Sequence, residues 1–82
     1  MNKFYFNTED GVRALDPQGM ELASVEQARR KALGLMSELL TNGSADALLN
    51  GGALRLWVTN GPRDSGHTVY SLQISALESD LD

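Results

Sequence analysis

Asp10, Asp16 and Glu21 are the first groups in this sequence whose chemistry invites a ligand. A hard cation such as calcium needs carboxylate and amide oxygens alternating through a single loop, and the spacing here does not supply that pattern. Asp10 precedes Gly11 and Asp16 precedes Pro17, positions where a short acidic side chain helps to close a turn. His67 is the sole histidine. Asp64 and Ser65 stand close before it, but sequence neighbours rarely converge into a nucleophile, a base and an orienting acid. Gly51-Gly52 lacks the following lysine and helix of a phosphate-binding loop. There is no cysteine, which excludes disulfides and thiolate-held metals. The expectation is a chain that is not an enzyme, with no catalytic residue, no metal and no cofactor.

The cationic residues point the same way. Arg29-Arg30-Lys31 is the only basic cluster, and consecutive helical residues diverge by about 100°, so the three spread over a solvated face. Tyr5, Phe6 and Trp57 have the chemistry to stack bases on a sheet. The glycine-aromatic motif of sheet-type RNA binders is missing, and the formal net charge of −4 opposes phosphate binding. A nucleic-acid-associated regulator using Arg29, Arg30, Lys31 and Arg55 is the alternative reading.

These side chains must be positioned by a small set of elements. Residues 3–8 alternate as a strand, with Phe4 and Phe6 on one face and Tyr5 on the other. Asp10-Gly11 makes a tight hairpin turn into a second strand at 12–15. Asp16-Pro17-Gln18-Gly19 reads as a β-turn, and Met20-Glu21-Leu22 as an extended link. Ser24 caps a helix, and Gln27 completes a capping box. Val25, Ala28, Ala32, Leu35, Met36, Leu39 and Leu40 follow as one helical stripe, and Asn42-Gly43 is its stop. A short helical turn at 44–49 ends at Asn50-Gly51-Gly52. Leu54, Leu56 and Val58 alternate with Arg55, Trp57 and Thr59 in a third strand. Residues 60–66 form a loop, and 67–75 a last strand with Tyr70, Leu72 and Ile74 on one face and Val69, Ser71 and Gln73 on the other.

The fold class expected is α+β, in the order ββαββ, with one amphipathic helix on one face of a small, mainly antiparallel four-stranded sheet. A single helix covers one face of such a sheet. Tyr5, Arg55, Trp57 and Val69 would then share the uncovered face, an apolar patch with an arginine, the composition favoured at interface cores. They are the candidate interface residues for a protein partner or for self-association, through that face or a strand edge.

The 82 residues fit one domain, expected over 1–75, with an acidic tail at 76–82. A hydrophobic fraction of 41% and a charged fraction of 22% argue against disorder. No apolar run approaches the roughly 20 residues that cross a bilayer. The opening Met1-Asn2-Lys3-Phe4-Tyr5-Phe6 lacks the apolar stretch and cleavage site of a signal peptide, so a cytoplasmic location is expected.

Tyr5-Phe6 before Asp10-Gly11, then Asp16-x-x-Gly19-x-Glu21-Leu22, then Ala28-Arg29-x-x-Ala32, resembles a family of short alphaproteobacterial proteins known as domain-of-unknown-function family 6894. The resemblance covers roughly the first 40 residues well and the last two strands more weakly. Members typically join those strands by a compact D-x-x-G turn, where this chain has the longer loop at 60–66. The resemblance implies a bacterial cytosolic protein, and it brings no activity, cofactor or catalytic residue.

Overall fold

The computed structural model describes residues 2–43, 45–49 and 51–77. The expected acidic tail lies outside them from residue 78 on, as do Ser44 and Asn50 around the expected helical turn.

Strand β1 (Asn2–Glu9) lies inside the sheet. Its alternation sends Phe4 to the helix side, where the core cluster lies and Phe6 packs against it. Past Asp10 the chain reverses into β2 (Arg13–Ala14), paired antiparallel with Thr8 and Glu9. Gly11 takes φ 100°, which only glycine adopts without strain. The turn spans residues 10–12, one more than a two-residue hairpin, so Val12 sits at its tip, 73% exposed, and not in the strand. Met20–Leu22, expected as a link, is a third strand (β3), antiparallel to residues 2–4 of β1. β2 and β3 therefore pair with opposite ends of β1.

Helix α1 (Val25–Thr41) begins and ends at the expected signals. The Gln27 N–H donates to Ser24 Oγ at 3.2 Å, and Gln27 Oε1 accepts from the Ala23 N–H at 2.9 Å, one residue ahead of the N–H a strict capping box would use. Asn42 closes the helix through its N–H to the Glu38 carbonyl, and Gly43 follows at φ 97°. Ala28, Ala32 and Met36 are buried, and the two alanines let the helix lie close on the sheet. A short helix α2 (Asp46–Leu49) leads to β4 (Ala53–Thr59); a 3₁₀ turn at Pro62–Asp64 precedes β5 (Thr68–Ser75).

The sheet order is β2-β1-β4-β5, with β3 also on β1, and every pairing is antiparallel. One main helix on a five-stranded sheet is the expected α+β, ββαββ-like architecture, with β3 as an additional strand. Phe4, Leu54, Leu56 and Val58 meet the buried face of α1 in one core, flanked by Tyr70, Leu72 and Ile74.

The second face departs from expectation. It is not open. Trp57 is 0% exposed and Tyr5 9%, because two loops, at 15–19 and 60–66, fold across it together with the Arg13 side chain. They are joined to each other where the Arg63 N–H donates to the Asp16 carbonyl at 3.0 Å. Val69 also departs. Val58 pairs with Tyr70 but Thr59 with Thr68, so Val69 is an extra residue in a β-bulge, and it packs against the helix-side core.

Candidate functional site

Trp57 projects from β4 to the face opposite α1, with Arg55 two residues before it on the same side. The Arg55 guanidinium stacks 4.3 Å from the indole centroid and that of Arg13, from β2, stands at 5.3 Å. The Trp57 Nε1–H donates to Asp64 Oδ1 at 2.6 Å, while Asp64 Oδ2 receives Arg13 Nη2 at 2.8 Å. Asp64 reaches both because Arg63 and Asp64 adopt φ 53° and 65°, unusual for residues other than glycine. The loop thus closes over the indole and fixes its one polar atom. This arrangement seats an aromatic ring. Nearby, Ser65 Oγ donates to the Pro62 carbonyl at 2.7 Å, and the His67 backbone N–H donates to Asn60 Oδ1 at 2.7 Å.

A second polar cluster adjoins it. Asn7, 0% exposed, donates through Nδ2 to the Trp57 carbonyl and to Thr59 Oγ1, both at 3.3 Å, and accepts the Asp16 N–H at 3.0 Å. Asp16 accepts the Phe6 N–H on Oδ2 and the N–H groups of Gln18 and Gly19 on Oδ1. Burial acts to raise the Asp16 pKa; the N–H groups of Gly19, Phe6 and Gln18 and the Lys3 charge outweigh it, so the carboxyl is held below its ordinary value. Asp16, read in the sequence as a turn residue, also fills the stretch of β1 edge between β2 and β3. Gly19 fits there because a Cβ would stand 2.8 Å from the Tyr5 ring.

The four candidate interface residues therefore divide. Tyr5, Arg55 and Trp57 share a face, but Tyr5 and Trp57 lie beneath loops with Arg55 half-buried against the indole; Val69 lies on the other face. The basic cluster does not converge either. Arg29 stacks 5.8 Å from the Tyr70 ring, and Arg30 pairs with Glu26 at 3.2 Å on the exposed side of the helix.

What the molecule does expose is an apolar flank. Val25, Leu33 and Leu40 are 36%, 54% and 37% exposed. They lie on the helix face of Arg29, at spacings of four, four and seven residues. Since Arg29 meets Tyr70, this flank overhangs β5. The opposite flank borders β1 in a shallow cleft with Phe6, Thr8, Leu35 and Glu38. Among the described residues β5 is the terminal strand of the sheet and nothing pairs with its outer edge, and its eight residues include no charge and no proline. Strand edges are ordinarily guarded by those features. The sequence reading missed this surface because Leu40 was assigned to the core stripe and Leu33 to no stripe.

Fold and surface together define a class: a two-layer ββαββ-like module whose second sheet face is covered over Tyr5 and Trp57 by its own loops. The family model described as Domain of unknown function (DUF6894) matches residues 3–75, and the chain belongs to that family. No significant match was found among curated proteins or solved structures.

Proposed function

We propose that this chain is a small non-catalytic protein-interaction or regulatory module, and that it docks through β5 and the overhanging flank of α1. One observation carries the reading: exposed Val25, Leu33 and Leu40 continue directly into an uncharged strand edge that is unpaired among the described residues. Apolar surface beside free backbone N–H and C=O groups is the chemistry of strand addition. The same reading places the protein in the cytoplasm of an alphaproteobacterium, a setting supported by the cysteine-free composition and the family resemblance.

A photo-crosslinking residue at position 33 or 40 tests the interaction. It should capture a defined protein in the native host, identified by mass spectrometry, and the product should disappear when Gln73→Lys charges the edge. A crosslinker at Pro17, on the loop side, should capture nothing. Equal capture from Pro17 and from the helix flank would remove the reading. The nucleic-acid alternative has less support, since Arg29, Arg30 and Arg55 are each engaged with an aromatic ring or a carboxylate within the chain.

A further inference from the structure

We infer that the partner of this edge is a second copy of the same chain, joined by antiparallel self-pairing of β5 centred near Leu72. The inference rests on the interaction reading above and names its occupant. Three features that are independent of one another favour a twofold-related copy.

The first is register. Arg29 lies 5.8 Å from Tyr70. Four residues further along α1 is about 6 Å, or about two residues of strand, which sets Leu33 above Leu72. The centre of the apolar flank and the centre of β5 therefore coincide, as one twofold axis through both requires. Val25 and Leu40 lie nearly equidistant from Leu33 along the helix, so the axis brings each towards the other's counterpart.

The second is spacing. Helix α1 rests on β4 and β5. With strands about 4.8 Å apart, a helix over that boundary stands about 5 Å from an axis running beside β5. Its symmetry mate is then about 10 Å away, at the upper end of the range for packed helices. Continuing the sheet thus brings the two exposed flanks into packing contact, with Leu33 against its own copy.

The third is pairing chemistry. A strand centred on Leu72 places Tyr70 opposite the other copy's Ile74, a favourable aromatic and β-branched cross-strand pair. On the other face Ser71 meets Gln73. No like charges oppose, because the strand has none. The occupied edge becomes a ten-stranded sheet with two antiparallel helices on one face.

Sedimentation of the full chain from micromolar to millimolar concentration tests this, with hydrogen exchange on the same samples. The expected result is a species of twice the chain mass that grows with concentration, together with concentration-dependent protection of β5 amides. Two variants at exposed positions, Leu33→Glu and the double variant Ser71→Lys with Gln73→Lys, should each restore the monomer while keeping the circular dichroism of the native chain. A strict monomer at millimolar concentration overturns self-pairing. So does a dimer that survives both variants, which would mean association elsewhere. If the chain is monomeric yet the crosslink from position 33 to a different protein persists, self-pairing fails while the interaction reading stands.

Discussion

A carboxylate that accepts backbone N–H groups from Phe6, Gln18 and Gly19 serves all three best when ionised, so Asp16 couples the edge of β1 to solution pH. Its folded pKa is lowered below 3.8. The stability it contributes is therefore fully present above the unfolded pKa and is lost as pH falls through the folded value. Urea midpoints measured between neutral pH and pH ~3 should decline, and Asp16→Asn should flatten that decline while costing about 2 kcal/mol at neutral pH. An unchanged acid limb in the variant would show that other carboxylates set it. At Gly19 the constraint is steric: φ 73° and a virtual Cβ 2.8 Å from the Tyr5 ring. Gly19→Ala should destabilise by about 1–3 kcal/mol, read as a lower urea midpoint with an unchanged slope.

Helix α1 owes its boundaries to neighbours in the chain, which is why they could be read in advance. Ser24, Gln27, Asn42 and Gly43 act within four residues of their partners. Ser24→Ala removes the acceptor for the Gln27 N–H and should cost about 1 kcal/mol, measurable by thermal denaturation; no loss would mean that water replaces the cap without penalty. The alternation of β1 and β4 was legible for the same local reason, and it named Trp57 and Tyr5 as sharing a face. What covers that face was not legible. Asp64 reaches Trp57 across seven residues and Arg13 across 51, and nothing in a stretch rich in glycine and polar residues announces that it will fold inward. Val69 was misplaced because a bulge breaks the two-residue period that the reading assumed. β3 was missed because three residues are too few to show alternation.

At the scale of the whole molecule, the two loops cover the Tyr5 and Trp57 part of the second face without a second helix, while Ser71 and Gln73 stay exposed. Trp57 is the only tryptophan, so its fluorescence reports that closure directly. The native chain should emit at short wavelength and resist iodide quenching. Asp64→Ala leaves the indole N–H unpaired, and should cost about 1–2 kcal/mol while making Trp57 easier to quench. Equal quenching in both proteins would mean that the loop covers the ring without Asp64. The position of β1 has a consequence for synthesis. Strand β1 needs residues 53–59 as its neighbour on one side, and these emerge from the ribosome dozens of residues after it. Its other side is occupied by β2, Asp16 and β3, all within its next 20 residues or so. The nascent chain can therefore cover one edge of β1 with the sequence that directly follows it, and that strand waits for β4 with a single vulnerable border.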